Sequence, residues 1–207
     1  MTRLVILGAG GHGKVVADAA ACQGCWSDIV FLDDRWPNVI KSGAWSIIGS
    51  IADHVSHISN KDSVVVAIGS SSVRLALLKQ LAQINVKIAT VVHPSAVVSQ
   101  YAQIGAGSVI FANAVVNIDA VLGLGCIVNT GAVIEHDVVF GDGVHVCPNA
   151  SVAGGVTIGN GTWVGIGSCV RQGVSIGSDV VIGAGAAVVS NILDKLTVIG
   201  VPAKPKI

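Results

Sequence analysis

The feature that most constrains the fold is a period of six residues that runs from residue 92 to residue 188. Stepping by six from Val92, every residue met is Val, Ile, Leu or Phe, 17 times in succession. The members are Val92, Val98, Ile104, Ile110, Val116, Leu122, Val128, Ile134, Phe140, Val146, Val152, Ile158, Val164, Val170, Ile176, Ile182 and Val188. These residue types make up roughly a third of the chain, so chance would give such a run with odds on the order of one in 10⁸.

A second marker lies four positions after the large residue and is mostly small, as in Ala114, Cys126 and Ala132. Glycine often follows the large residue directly, as in Gly105 and Gly159. An α-helix repeats every 3.6 residues and cannot keep one position in six on the same side. Six residues do suffice for a short strand and a corner, and three such units close a triangular coil. The large side chains then point inward and stack about 4.8 Å apart.

Hexapeptide repeats of this kind predict an all-β parallel β-helix over residues 92–191, and the pattern is typical of the left-handed form. A β-sandwich would need irregular strands with turns every 8–12 residues. Residues that directly precede an inward position should point outward, as at Val115, Val121, Val133 and Val139. One chain cannot cover these outer faces, so we expect three copies to pack about a threefold axis.

Residues 1–91 have a different pattern, in which apolar strands alternate with helices. We expect strands at residues 3–7, 29–32, 63–68 and 87–92, and helices at residues 14–21 and 72–84. This alternation predicts a parallel α/β sheet, half the size of a full dinucleotide fold and hence half-Rossmann-like. Residues 35–60 are predicted to be irregular, and residues 192–207 to form a C-terminal tail.

A glycine-rich turn follows the first predicted strand. Gly8, Gly10 and Gly13 fit the pattern GxGxxG, and Asp33 lies 20 residues beyond Gly13. Such glycines let the backbone approach a phosphate, and an acid after the second strand can bind a ribose hydroxyl or a base edge. The missing second half of the fold disfavours nicotinamide redox chemistry, so a mononucleotide or a nucleotide-sugar is the better candidate. A tight turn without a ligand is the alternative.

Polar residues within the repeat concentrate near two histidines, His136 and His145. A β-helix needs no histidine for packing, whereas a histidine titrates near neutral pH and can act as a general base in acyl transfer. A neighbouring carboxylate can fix its tautomer, and from sequence both Glu135 and Asp137 qualify. A corner residue without a catalytic role is the alternative for each histidine.

Other chemistries find little support in the sequence. Cys22 and Cys25 form a lone CxxC without the second pair of ligands that a zinc site needs, and nothing indicates that His136, His145 and Asp137 converge on a metal. No metal is therefore expected. A serine or cysteine nucleophile lacks the strand-turn-helix motif that would activate it. The five cysteines are odd in number and imply no disulfide framework.

Composition limits the partners. Twelve Lys and Arg balance twelve Asp and Glu, so no basic surface for nucleic acid is expected. Charged residues make up only 12% of the chain, well below the usual level of about 25%, which favours surface that is hidden against other copies. The mean hydropathy is +0.74, but polar residues interrupt every long apolar stretch, so no membrane insertion is expected. Without a targeting signal, we expect the protein in the cytoplasm.

Four segments beside the repeat carry a resemblance to a known family. They are Gly-Gly-His-Gly at residues 10–13, Phe-Leu-Asp-Asp at 31–34, Ile-Glu-His-Asp at 134–137 and Gly-Val-Pro-Ala-Lys at 200–204. Together with the repeat, they make essentially the whole chain resemble the hexapeptide-repeat sugar O- and N-acetyltransferases. The most similar branch N-acetylates UDP-4-amino-4,6-dideoxy sugars of the bacillosamine type for surface glycan biosynthesis. Other members act on GDP-perosamine and on sialic acid.

The resemblance implies a homotrimer that uses acetyl-CoA, with active sites between adjacent prisms. His136 would be the general base and Asp137 the residue that orients it, in a direct transfer without an acyl-enzyme. The residues implied in acetyl-CoA binding are Asn129, His145, Gly154 and Ile166, with the backbone N–H of Gly154 on the thioester oxygen. Those implied in nucleotide-sugar binding are Gly11, His12, Gly13, Asp33, Asp34 and Gly69. Cys147 and Pro148 stand where a small hydroxyl residue is expected.

Two other functions fit the same sequence. One is sugar O-acetylation of the sialic acid type, performed by the same base and the same β-helix. The other is a non-catalytic trimer that binds a nucleotide through residues 8–34. The Glu-His-Asp cluster at residues 135–137 favours an enzyme, because a scaffold has no use for it.

Overall fold

The computed structural model describes residues 2–206. The chain divides into two compact units, Met1–Pro94 and Ser95–Ile207. No helix in the described part of the chain is long and apolar enough to cross a membrane.

The N-terminal unit is a mixed α/β structure built on one sheet. Its elements are β1 Thr2–Leu7, α1 Gly11–Gln23, β2 Trp26–Leu32, β3 Lys41–Ser42, β4 Trp45–Gly49, α2 His54–His57, β5 Ser63–Val66, α3 Ser71–Gln83, β6 Lys87–Ile88 and β7 Val91–Val92. The sheet order is β3-β4-β2-β1-β5-β6, and its pairs are parallel except for the β3–β4 hairpin. The predicted parallel α/β sheet is therefore confirmed. The strand order reverses at β1, and such a point is where open α/β sheets bind ligands.

Two predictions about this unit were wrong in detail. Residues 35–60 are not irregular, because they contain β3, β4 and α2. Strand β4 has only two buried residues, Ile47 and Gly49, and contains no long apolar run. Its sequence therefore gives only a weak strand pattern. Helix α1 begins at Gly11 rather than at Lys14, because the amide of Lys14 already donates to the carbonyl of Gly10 as in a helical turn.

The second unit consists of very short strands at regular spacing. Its strands are β8 Val97–Val98, β9 Gln103–Ile104, β10 Val109–Ile110, β11 Val115–Val116, β12 Val121–Leu122, β13 Ile127–Val128, β14 Val133–Ile134, β15 Val139–Phe140, β16 His145–Val146, β17 Ser151–Val152, β18 Thr157–Ile158, β19 Trp163–Val164, β20 Cys169–Val170, β21 Ser175–Ile176, β22 Val181–Ile182, β23 Ala187–Val188, β24 Thr197–Ile199 and β25 Lys204–Pro205.

Every third strand belongs to the same face of a three-sided prism. Face A contains β10, β13, β16, β19, β22, β24 and β25; face B contains β8, β11, β14, β17, β20 and β23; face C contains β9, β12, β15, β18 and β21. Within a face, strands of successive coils pair in parallel at a spacing of 18 residues, as Val115 does with Val133. The predicted parallel β-helix is therefore confirmed. Strand β24 extends face A beyond β22, and β25 turns back against β24 in the antiparallel sense.

The inward positions form the core of the prism. All the large residues of the six-residue period from Ile110 to Val188 are at most 4% exposed. Val139, which directly precedes an inward position, is 45% exposed. The outward direction of such residues follows from the alternation of side chains along a strand.

The corners follow a third period, which was not predicted from the sequence. The residue three positions after each inward one has a positive φ at fourteen successive corners, and each of these residues is Gly, Asn or Asp. They are Gly107, Asn113, Asp119, Gly125, Gly131, Asp137, Gly143, Asn149, Gly155, Gly161, Gly167, Gly173, Asp179 and Gly185. Only these residue types enter the left-handed region readily, so the turn geometry selects them.

Candidate active site

His136 and Asp137 form an exposed pair at the corner that follows β14. The Nδ1 atom of His136 lies 2.7 Å from Oδ2 of Asp137, and both side chains are more than half exposed. Glu135 does not compete for the imidazole, because its Oε2 accepts a hydrogen bond of 2.9 Å from Nδ2 of Asn117 in the preceding coil. The geometry thus selects Asp137 from the two carboxylates that the sequence left open.

The hydrogen bond to Asp137 raises the pKa of His136 above its ordinary value, and the negative charges of Asp137 and Glu135 add to this effect. Because Nδ1 points at the carboxylate, it carries the proton in the neutral ring, and Nε2 is left to accept another. This is the tautomer that a general base requires.

The other edge of the His136 ring lies against Gly154, one coil further along the prism. A Cβ atom at Gly154 would stand 2.6 Å from Cε1 and 2.7 Å from Nε2 of His136, closer than side chains approach. Any residue larger than glycine would displace the ring. The structure therefore brings three of the predicted residues together at one corner, with Nε2 next to the backbone of Gly154.

A cleft of about 490 Å³ opens along face A and the corner that follows it. Its walls come from four successive coils and are mostly apolar. The lining residues are Asn129, His145, Cys147, Pro148, Trp163, Gly165, Ile166, Val181, Ile182, Gly183 and Ala184. Three of the four residues predicted to bind acetyl-CoA, Asn129, His145 and Ile166, therefore share one cleft, and Gly154 lies at the His136 corner instead.

The ring of His145 is held at the wall of this cleft by two neighbours. Nδ2 of Asn129 lies 3.2 Å from Nε2 of His145, and Oδ1 of Asn129 accepts a hydrogen bond of 2.9 Å from the amide of Thr130. The second bond fixes the orientation of the amide, so Nδ2 donates and Nε2 of His145 accepts. In this arrangement the neutral ring of His145 carries its proton on Nδ1. The ring of Trp163 covers it at a centroid distance of 4.2 Å.

Cys147 lies in the same cleft but is a poor nucleophile. Burial raises the pKa of its thiol to about 11, so the thiolate is scarce at neutral pH. The surroundings of Cys147 therefore do not activate it as a nucleophile.

The corner and the cleft do not meet within one prism. His136 follows a strand of face B, whereas His145 lies on face A, and the corner that lines the cleft precedes face B. The two histidines that the sequence pointed to thus occupy different edges of the same unit.

In the N-terminal unit, the predicted nucleotide-sugar residues all follow strands at the carboxyl edge of the sheet. Gly11, His12 and Gly13 form the first turn of α1 after β1, and Gly69 follows β5. Gly13 packs so closely on the carbonyl of Gly8 that no Cβ fits, whereas a Cβ at Gly11 or Gly69 would enter open space. Gly8 and Gly13 of the motif are therefore required by close packing, whereas Gly10 leaves room beside the backbone.

The two aspartates after β2 are engaged with their own surroundings. Oδ2 of Asp33 accepts a hydrogen bond of 2.7 Å from the amide of Ala9, and Oδ1 one of 2.7 Å from Nε of Arg35. The Arg35 guanidinium lowers the pKa of Asp33 to about 2. Oδ1 of Asp34 accepts from the hydroxyl of Ser50 at 2.8 Å. Asp33 thus organises the glycine-rich loop, and its contact with a ligand stays a prediction.

Sequence reasoning gave no role to Arg74, which organises the loop after β5. Its side chain is almost fully buried, and NH1 donates to the carbonyls of Ile68 at 2.7 Å and Gly69 at 2.9 Å. Burial, together with the charge of Arg74, lowers the pKa of His12 to about 4, so His12 is neutral at physiological pH. The signal in the sequence was a charged arginine in the first turns of a predicted helix that packs on the sheet. Across residues 2–206, no group of three or more His, Cys, Asp or Glu side chains is placed to hold a metal ion.

Comparison with known proteins places both units. Residues 3–81 match the PglD N-terminal domain, and residues 155–189 match the bacterial transferase hexapeptide repeat. The UDP-N-acetylbacillosamine N-acetyltransferase of Bacillus subtilis (strain 168) is 36% identical over 110 residues. That match covers 53% of this chain and 51% of the relative, so the alignment spans about half of the curated protein.

Two solved structures match over almost the entire chain. The acetyltransferase domain of PglB from Neisseria gonorrhoeae FA1090, in complex with acetyl coenzyme A, is 41% identical with a TM-score of 0.96 and 99% coverage of both chains. PerB from Caulobacter crescentus, in complex with CoA and GDP-perosamine, is 33% identical with a TM-score of 0.91, and the match covers 100% of this chain and 98% of that one. The chain therefore belongs to the hexapeptide-repeat sugar acetyltransferases that carry a PglD-type N-terminal domain, and the predicted family is confirmed.

Proposed function

We propose that this chain is an acetyl-CoA-dependent N-acetyltransferase that acts on the amine of a nucleotide-linked 4-amino-4,6-dideoxy sugar. The observation that carries the proposal is the exposed imidazole of His136, with Nδ1 on Asp137 and Nε2 beside Gly154. Relatives that bind acetyl coenzyme A, or CoA together with GDP-perosamine, support the donor and the class of acceptor.

In the proposed reaction, the neutral sugar amine attacks the carbonyl carbon of the thioester. Nε2 of His136 accepts the proton that the amine loses, and Asp137 stabilises the imidazolium that forms. The backbone N–H of Gly154 donates to the oxyanion, a contact worth on the order of 3 kcal/mol in comparable sites. The tetrahedral intermediate then expels the CoA thiolate, which takes the proton back from His136. No bond to the protein is formed, so the kinetics should not be ping-pong.

The proposal requires more than one copy of the chain. A single prism holds the His136 corner and the cleft on different edges, so the donor in the cleft of one copy would meet the imidazole of another. A homotrimer about a threefold axis provides this arrangement three times and covers outward apolar residues such as Val139.

The N-terminal unit would hold the nucleotide-sugar at the carboxyl edge of its sheet. Gly11 and Gly69 leave space there, and His12 and Gly13 lie in the same first turn of α1 as Gly11. Asp33 organises the loop after β1, and Arg74 organises the loop after β5. The predicted contacts of Asp33 and Asp34 with the nucleotide belong to this proposal, as does a location in the cytoplasm, where acetyl-CoA and nucleotide-sugars are made.

The test is release of free CoA thiol from acetyl-CoA with a panel of acceptors. The panel contains a UDP-4-amino-4,6-dideoxy sugar, GDP-perosamine and sialic acid. We expect release with at least one amino-sugar nucleotide, and mass spectrometry should find the acetyl group on nitrogen. Release with sialic acid alone would replace the proposal by O-acetylation. Background release with every acceptor, beside retained nucleotide binding, would favour a non-catalytic trimer.

A further inference from the structure

Two parallel rows of residues line the cleft, each advancing by one coil. The outer row is His145, Trp163 and Val181, which are register partners on face A. The corner row is Cys147, Gly165 and Gly183, each two positions further along the chain. The cleft therefore runs along the prism axis towards the C-terminal end of the chain.

Both rows continue past the cleft onto the last two strands. Val181 pairs with Thr197 of β24, and Ile182 with Val198, which places Ile199 next to Gly183. A Cβ at Gly183 would lie 2.7 Å from Cγ2 of Ile199, so the isoleucine side chain covers this glycine directly.

Strand β25 completes each row with a lysine. Ile199 pairs with Lys204, and the amide of Lys206 donates to the carbonyl of Thr197 at 2.7 Å. Val198 is fully buried and points inward, so Thr197 and Ile199 point outward. Residues directly opposite in an antiparallel pair share a face, so Lys204 and Lys206 project from the same outer face as the cleft. Both lysines are exposed.

The charge distribution makes this end of the prism distinctive. Residues 95–207 contain four Lys or Arg residues, and two of them are Lys204 and Lys206. Four strand spacings separate His145 from Lys206 along the outer row, about 19 Å. Acetyl-CoA has a matching arrangement: its thioester is at one end of an apolar pantetheine arm, and its negatively charged diphosphate and 3′-phosphate are at the other.

We propose that Lys204 and Lys206 form an anion site for the phosphates of the coenzyme, with the thioester at the His145 end of the cleft. This inference rests on the proposed function for the identity of the donor. An ammonium group binds a phosphate by charge-assisted hydrogen bonds, and at an exposed site these bonds weaken as salt screens the charges.

The test compares two donors that differ only in the phosphates. In the K204A/K206A variant, we expect the KM for acetyl-CoA to rise at least about tenfold while kcat stays within about twofold. The KM for acetyl-pantetheine, which has no phosphate, should be unchanged. K204R/K206R should keep the wild-type KM. The matched control is K195A, which removes an exposed lysine from a different corner of the same end of the prism and should leave both donors unaffected.

Binding of CoA alone, followed by calorimetry, separates this inference from the proposed function. If wild-type protein binds CoA but acetylates no acceptor, the proposed function fails, and the lysine site is still judged by the loss of CoA affinity in K204A/K206A. Unchanged affinity in that variant, an equal loss in K195A, or an equal rise in KM for acetyl-pantetheine would overturn the lysine site. Absence of CoA binding by the wild type would overturn both.

Discussion

Asp137 serves two purposes at a single position. Its φ of 59° places it among the corner residues that need Gly, Asn or Asp, and its carboxylate holds Nδ1 of His136. The fold alone would accept glycine or asparagine there, as it does at Gly131 and Asn149. The carboxylate is thus the part of this residue that folding does not explain.

His136→Ala should lower kcat by about 10²–10⁴-fold, because the amine loses the group that accepts its proton. The side chain is exposed, so the fold and the oligomeric state should persist. Steady-state kinetics measure the first effect and light scattering the second. Turnover close to that of the wild type would remove His136 from the mechanism.

Asp137→Asn should keep the corner and lose the charge. We expect an unchanged Tm and a reduced kcat, because asparagine tolerates the left-handed backbone but cannot stabilise the imidazolium. Asp137→Ala should lose stability as well, by about 1–2 kcal/mol, because alanine lacks the short polar side chain that lets aspartate and asparagine adopt the left-handed region. Thermal unfolding of the two variants side by side separates the two purposes.

The pH profile supplies a further check on the same pair. His136 must be neutral to accept a proton, and Asp137 raises its pKa, so kcat/KM of the wild type should rise with pH through a pKa above the ordinary histidine value of 6.5. In Asp137→Asn the acidic limb should move to lower pH while the plateau falls. A limb that stays in place would show that another group titrates.

At the scale of elements, the six-residue period was sufficient to predict the β-helix, because every strand needs a large apolar side chain at its inward position. The Gly, Asn and Asp residues three positions after each inward one are equally periodic, but only the glycines directly after the inward position and the small residues four positions after it were identified from the sequence. Strand β4 was missed because its few residues have a weak pattern, with only Ile47 and Gly49 buried. The residues that line the cleft were predicted only in part, since Trp163 and Val181 join it through pairing across coils.

Inward and outward neighbours on one strand should differ in their effect on stability. Ile158→Ala should cost about 2–5 kcal/mol, because the side chain is 3% exposed and leaves a cavity in a stacked core. Thr157→Ala, one position earlier and exposed, should cost no more than about 0.5 kcal/mol. Denaturant unfolding of both variants measures the difference. Similar losses would contradict the assigned phase of the repeat.

The loop after β1 should weaken in acid. Arg35 and the amide of Ala9 lower the pKa of Asp33 from 3.8 to about 2, so its stabilising effect is present above pH 4 and is lost as the pH falls towards 2. Thermal unfolding between pH 5 and pH 2 should show this loss. Asp33→Asn should be less stable at pH 5 and should depend less on pH. Parallel curves for the two proteins would mean that Asp33 contributes nothing.

At the scale of the whole molecule, the sequence predicts that other copies cover the outer faces of the prism. Under the proposed function, the separation of the His136 corner from the cleft would also require more than one copy. A corner can present a base, but it cannot also enclose a long donor. The resemblance implied active sites between adjacent prisms, but which edge of the prism would supply which residue could not be predicted from the sequence, because the three faces differ only in register.

Mixing two inactive variants tests this partition. We expect His136→Ala and Ile166→Arg, which blocks the cleft, each to be inactive alone. After co-refolding, sites that draw their halves from different copies should recover about a quarter of wild-type activity if assembly is random. No recovery, with mixed oligomers present, would place the complete site in one copy.

The stacking of equal coils also fixes the length of the cleft. Each coil adds one fixed rise along the prism axis. The distance from the imidazole of His145 to Lys204 and Lys206 can therefore change only by whole multiples of that rise. Duplication or deletion of the coil between β19 and β22 would change the length of donor that fits by one strand spacing. The two ends of the cleft would keep their shape. With the phosphates held by the proposed lysine site, the number of coils would therefore determine which donor length fits.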